Sequence, residues 1–141
     1  MDADRELEVL LRQKAIQMSD AAKAIEDVPP GIIELTDATF KATIRDSPIP
    51  LFVDLWAPWC MPCKAIAPVI AELEAEYRGQ MRFSKLNTDD NQQTAMELRV
   101  MSIPTFLIFK DGKLAARFVG AMPKGKFKAQ IDKVLKIKKN S

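Results

Sequence analysis

Between Pro48 and Pro58 the chain holds a short, nearly continuous apolar run, Ile49 to Trp56, containing Leu51, Phe52, Val53, Leu55 and Trp56. A run of this length without polar alternation predicts a strand buried on both faces. The period then changes: Ile66, Val69, Ile70, Leu73 and Tyr77 recur at spacings of three and four, which places an apolar stripe along a helix starting at about Cys60. Pro68 falls inside that stripe, removes the hydrogen bond to the Lys64 carbonyl and should kink the helix. Gly79 closes it. On either side the same logic predicts a short strand at Ile32 to Leu35, and a helix capped by Thr36 or Asp37 that runs to about Arg45. Met81 to Leu86 alternates as a strand, and the polar stretch Asn87 to Asn91 opens a short helix through Leu98. Phe106 to Phe109 is another continuous apolar strand; Asp111-Gly112 predicts a tight hairpin, so Lys113 to Val119 returns antiparallel and the sheet is mixed. Phe127, Ile131, Val134 and Leu135 mark a last helix with Pro123 at its start.

Upstream of this pattern, residues 5 to 27 predict one amphipathic helix: Leu7, Leu11, Ala15, Met18, Ala22 and Ile25 repeat at threes and fours, with Leu10 beside them. Over residues 2 to 27, Arg5, Arg12, Lys14 and Lys23 stand against Asp2, Asp4, Glu6, Glu8, Asp20, Glu26 and Asp27, and 4 − 7 gives −3. Such a helix needs a partner for its apolar stripe, on its own domain, on a second copy or on another protein; its acidic face argues against a membrane surface. Val28-Pro29-Pro30-Gly31 cannot continue a helix. The expected division is therefore an N-terminal helical extension and linker over 1–30 and one globular domain over 31–141.

Composition narrows the function class. A chain of 141 residues that is 48% hydrophobic can bury one sizeable core. The 21 basic and 19 acidic residues give a net charge of +2, which argues against a nucleic-acid surface as the main function. The acidic start shows no signal-peptide pattern and no run reaches transmembrane length, so the expected location is cytoplasmic, with no membrane partner. In that compartment paired cysteines are more often catalytic than structural.

Both cysteines lie in Trp59-Cys60-Met61-Pro62-Cys63-Lys64, at the junction of the buried strand and the long helix. A thiol attacks as its thiolate, and the first turn of a helix offers unpaired N–H groups and the positive dipole end that stabilise the anion. Cys60 is placed to receive both. Cys63 lies three residues on, close to one helical turn, within reach of a mixed disulfide formed at Cys60. Pro62 has no N–H to lose in a first turn and fixes φ. Two other readings compete. A closed zinc or iron–sulfur site needs four Cys or His ligands, and the chain has two Cys and no His, so only a cluster shared between two copies would serve. Two inert buried thiols would better suit a helix interior than a turn between Pro58 and Pro62.

From about Ile32 to Ile137 the chain resembles the thioredoxin family. Trp59-Cys60-Met61-Pro62-Cys63-Lys64 is similar to the family's W-C-G-P-C-K, and Phe52-Val53-Asp54-Leu55-Trp56-Ala57 precedes it as in the family. Lys85-Leu86-Asn87 matches K-L-N, Ile103-Pro104-Thr105 matches the cis-proline loop, and Val119-Gly120-Ala121 matches the V-G-A after the last strand. The resemblance implies an α/β thioredoxin fold, a central five-stranded mixed sheet flanked by four helices, to which the N-terminal amphipathic helix is an addition. It implies a dithiol–disulfide oxidoreductase with Cys60 as nucleophile and Cys63 as resolving thiol. Trp59, Met61, Ile103, Pro104 and Gly120 would form the substrate-binding platform, with the Ile103 backbone as an edge for a substrate strand. An X-Pro bond is usually trans, and only the family pattern makes Ile103–Pro104 cis.

Asp54 is a lone acid in an apolar strand, and by sequence alone it reads as an outward-facing charge. The resemblance instead makes it a buried acid behind Cys63, with Lys85 on a neighbouring strand to modulate it, able to accept the Cys63 proton. Met61 departs from the usual Gly and adds a flexible apolar side chain to the docking surface. Pro62, with no His between the cysteines, keeps the reading nearer reductant than isomerase.

The function expected is reduction of disulfide-containing protein substrates by a monomer that carries no cofactor and is recharged by a thioredoxin reductase, either flavin- and NADPH-dependent or ferredoxin-linked. The alternative is a binding or chaperone subunit of the same fold that docks through its N-terminal helix and does not need its cysteines.

Overall fold

The computed structural model describes residues 31–139. The amphipathic helix expected over residues 5 to 27 lies outside them. Five strands and four helices follow in the order β1 (Ile33–Leu35), α1 (Phe40–Asp46), β2 (Leu51–Trp56), α2 (Met61–Glu76), β3 (Arg82–Asn87), α3 (Gln92–Glu97), β4 (Thr105–Lys110), β5 (Lys113–Val119) and α4 (Lys124–Lys139). This is the mixed five-stranded sheet with four helices that the resemblance implies. The strand order is β1-β3-β2-β4-β5, with β2 parallel to β3 and antiparallel to β4.

The continuous apolar run of β2 is explained by its place in the middle of the sheet. Successive side chains point to opposite faces, and both faces are covered. Phe52 joins Phe83, Phe106 and Ile108 on one face, packed against Ile66, Ile70 and Leu73 of α2 and Phe127, Ile131 and Val134 of α4. Leu51, Val53 and Leu55 join Leu86, Leu107 and Phe109 on the other face, against Phe40 and Ile44 of α1. Aromatic rings knit the first face: Phe52 stacks on Phe83 at 4.7 Å between centroids, and Phe127 of α4 meets Phe106 edge-on at 4.9 Å.

The hairpin is the one the sequence announces. Asp111 and Gly112 both take positive φ, 54° and 78°, the pair of left-handed residues that a type I′ turn needs to match strand twist. The start of α1 differs from expectation. Its N-cap is Thr39, and Thr36 and Thr39 exchange backbone-to-hydroxyl hydrogen bonds in a turn that precedes the helix. Asp37 caps a different helix: its Oδ1 accepts from the Thr94 N–H at 2.9 Å and the Thr94 hydroxyl at 2.6 Å inside α3, while its own N–H donates to Asn91 Oδ1. These charge-assisted hydrogen bonds hold its carboxyl below the usual carboxylate range. α2 runs on through Pro68, which lies inside it.

Candidate active site

At the end of β2 the chain turns through Ala57 and Pro58 into α2, whose N-cap is Cys60 and whose first turn contains Pro62. The helix thus begins one residue after the expected Cys60, which makes that cysteine the capping residue. Its sulfur accepts the Cys63 backbone N–H at 3.3 Å, one of the donors a helix start leaves without an intrahelical partner. Cys60 and Cys63 are joined as a disulfide with Cα atoms 5.3 Å apart. Both are 3% exposed and pack with Ala57, against which Trp56 and Ile103 lie.

Two loops complete the surroundings. The Ile103–Pro104 bond is cis, and Pro104, buried at the start of β4, accepts the Gly120 N–H at 2.8 Å through its carbonyl. Gly120, just past β5, has φ 93°, a conformation side-chain-bearing residues rarely adopt. Trp59 is 67% exposed and its indole N–H donates to Asp89 Oδ1 at 3.2 Å. Trp59 and Ile103 line a groove of about 460 Å³ with Thr88, Ala95, Val100, Met101 and Ser102. Met101 of this lining and Met61 of the first turn of α2 stand in solvent, 91% and 71% exposed. The expected residues Trp59, Cys60, Met61, Pro62, Cys63, Ile103, Pro104 and Gly120 therefore meet at one end of the sheet. Sequence reasoning missed Thr88, Asp89, Ala95, Val100, Met101 and Ser102: the first two fall in the polar stretch that opens the short helix, Ala95 lies within that helix, and the other three precede the Ile103-Pro104 motif with no pattern of their own.

Asp54 sits two residues along β2 from Trp56, paired in register with Lys85 of β3 and Phe106 of β4. Residues paired across a sheet share a face, so Asp54 projects to the side covered by α2 and α4. It is buried, 7% exposed, and the outward-facing reading of the sequence alone is corrected: β2 is covered on both faces, so no position along it is outward. No group among the described residues hydrogen-bonds its Oδ1. Burial pushes its carboxyl up to about 7, against the opposing pull of the Lys85 ammonium. Lys85 forms its ion pair with Glu34, at 3.4 Å, and lies over the Trp56 ring at 5.2 Å. It thus acts on Asp54 through the field of its charge.

The chemistry available is that of a dithiol that closes on itself at the head of α2, on the strand–helix unit whose β2 carries the buried acid Asp54. The two sulfurs are bonded to each other, and among the described residues no group of three or more His, Cys, Asp or Glu side chains stands together as a metal site would require.

Comparison with known proteins agrees with this geometry. The thioredoxin family model matches residues 31–133. A thioredoxin of Synechocystis sp. is 44% identical over 102 residues, 72% of this chain and 95% of its own length. The thioredoxin of Haemophilus influenzae is 47% identical over 93 residues, covering 66% of this chain and 87% of its own. A chloroplastic M-type thioredoxin of Chlamydomonas reinhardtii is 43% identical over 101 residues, 72% of each chain. With the disulfide at the head of α2 and a match across most of its length, the chain belongs to the thioredoxin family, thiol–disulfide oxidoreductases and electron carriers working through a C-x-x-C pair.

Proposed function

We propose that the protein reduces protein disulfides with Cys60 as the attacking thiol, Cys63 as the resolving thiol and Asp54 as the proton acceptor. The observation that carries the assignment is the Cys63 N–H directed at the Cys60 sulfur from the first turn of α2. In the dithiol form this donor and the helix dipole favour negative charge on Cys60. The Cys60 thiolate attacks one sulfur of the substrate disulfide; a mixed disulfide forms and the first substrate thiolate leaves, taking up a proton. Cys63 gives its proton to the Asp54 carboxylate and attacks the Cys60 sulfur. The mixed disulfide breaks, the second substrate thiolate leaves and takes up a proton as Asp54 releases the one it accepted, and the protein ends with Cys60 bonded to Cys63. The substrate has gained two electrons and two protons.

Asp54 suits proton acceptance because its carboxyl, pushed up to about 7, can hold or release a proton near neutral pH. Lys85 keeps burial from raising it further. Pro62 sits in the first turn of α2, where it leaves no surplus donor. Trp59, Met61, Ile103, Pro104 and Gly120 receive the substrate backbone, and the exposed Trp59 and Met61 supply apolar contact.

Family membership implies disulfide substrates and a reductase partner in general terms. Within that frame we assign residues 1–30 to an extension and 31–141 to the catalytic domain, and the protein to the cytoplasm as a monomer without nucleic-acid or membrane partners. The excess of acid in residues 2–27 is the opposite of the Arg-rich, acid-poor composition of organelle transit peptides. A fluorescent fusion of the full chain that collects in an organelle would overturn the cytoplasmic assignment.

The roles are tested by Cys63→Ser, which keeps the attack and loses the resolution. It is expected to accumulate covalent complexes with substrate proteins on non-reducing gels, while Cys60→Ser accumulates none. Equal trapping by both variants would reverse or abolish the assignment.

A further inference from the structure

The wall of the groove opposite Trp59 is a loop, Val100 to Ile103, that follows the C-terminus of α3. α3 ends at Glu97 with Leu98 as C-cap, and the next residue, Arg99, is left-handed at φ 55°. The Val100 N–H donates to Ala95 O and the Arg99 N–H to Met96 O, each at 3.0 Å. This is a Schellman ending built with Arg at the position where Gly is usual. A side-chain-bearing residue persists there when its surroundings over-determine it.

The surroundings in this case are Arg117 of β5. Its Nη1 donates to Leu98 O at 2.7 Å and its Nη2 to Arg99 O at 2.8 Å. The Leu98 carbonyl belongs to the C-cap that a helix ending leaves without an intrahelical donor, the Arg99 carbonyl is the next along the chain, and the rigid fork of a guanidinium can take both at once. Four residues beyond Arg99 the same loop presses Ile103 against Cys60 and Cys63. It is held there again by β5, through the Gly120 N–H on Pro104 O at 2.8 Å and the pairing of Val119 with Thr105. β5 therefore grips the groove wall at both ends, once by backbone and once by Arg117.

We propose that Arg117 is a positioning residue of the substrate groove: it fixes the Leu98–Ile103 wall at the distance from Trp59 that a protein substrate needs. It touches neither sulfur and acts through the loop. This rests on the reading of the groove as the docking site for protein disulfides. Released from Arg117, the wall is expected to keep its Ile103 end and lose order at its Val100 and Met101 end. Binding of an extended chain then suffers, whereas a small disulfide that needs only the sulfurs does not.

The test compares wild type, Arg117→Ala and Arg117→Lys on insulin and on 2-hydroxyethyl disulfide, with amide hydrogen exchange at Arg99 and Val100 as a direct reading of the wall. Arg117→Ala is expected to raise KM for insulin about tenfold with little change in kcat, to lower the small-disulfide rate no more than about twofold, and to speed exchange at both amides. Arg117→Lys keeps the charge without the fork and is expected to recover at most part of the loss. Full recovery by Lys would overturn the two-carbonyl clamp in favour of simple charge attraction. Equal losses on insulin and the small disulfide, or an unchanged insulin KM, would overturn the positioning role. A wild type that reduces 2-hydroxyethyl disulfide but not insulin would overturn the protein-disulfide reading and this proposal with it; insulin reduction unaffected by Arg117→Ala overturns this proposal alone.

Discussion

At Asp54 two effects oppose each other and burial wins. Desolvation raises the carboxyl from 3.8 to about 7 despite the Lys85 cation. Between those values the folded state binds more protons than the unfolded one, so stability is highest below the lower value and is lost as pH rises through about 7. At about 1.4 kcal/mol per unit, the span from 3.8 to about 7 corresponds to roughly 4 kcal/mol. Asp54→Asn is therefore expected to stabilise the fold above pH 7 by a few kcal/mol in denaturant melts and to flatten its dependence on pH between about 4 and 7. Turnover should fall at the same time, because the resolving thiol loses its proton acceptor. A variant matching wild type in both stability and turnover would remove Asp54 from the mechanism. Lys85→Ala takes away the charge that, among the described residues, lowers the Asp54 carboxyl, and its pH–rate profile should move to higher pH. The burial of Asp54 was in principle legible: a strand apolar at every other position has no outward face, and an acid within it must be buried. The strength of the shift was not, since it depends first on how completely the fold withdraws the carboxyl from water and then on how near it brings Lys85.

Elements that announce themselves locally were read well. The apolar run of β2, the three-and-four stripe of α2 and the Asp111-Gly112 turn each carry their own period or turn chemistry, and all three stand where the sequence put them. Features that depend on another part of the chain were not legible. Asp37 looks like a cap for the helix that follows it, yet it caps α3 from 57 residues away. The Arg117 fork on Leu98 and Arg99 likewise joins segments that only the fold brings together. Asp37→Asn keeps the shape but weakens the charge-assisted bonds to Thr94, and should lower Tm and flatten the loss of stability on acidification. The sign follows from the lowered carboxyl: the contribution is present above its ordinary value and disappears as pH falls through the folded one. α4 docks on the sheet through Phe127, fully buried against Phe52, Phe106 and Phe118. Phe127→Ala should cost about 3–5 kcal/mol in a denaturant melt.

The molecule as a whole keeps its chemistry at one end of the sheet, and Gly31, the first described residue, is tied to the other end of α2. The Gly31 N–H donates to Glu74 Oε2, and Glu74 is fixed in turn by Arg78. Glu74 lies fourteen residues along from Cys60, roughly 20 Å down the helix axis at 1.5 Å per residue. Residues 1–27 carry no catalytic motif, so deleting them should leave reduction of a small disulfide within about tenfold of the full chain; a larger loss, beyond about 1.4 kcal/mol of transition-state stabilisation, would bring those residues into the active site. The alternative of a docking subunit that does not need its thiols leads to a different outcome in one assay. Insulin reduction with a dithiol as regenerant, wild type against Cys60→Ser, measures the central claim directly. The account predicts turnover by the wild type and none above the dithiol background by the variant. Equal rates from the two proteins would contradict it.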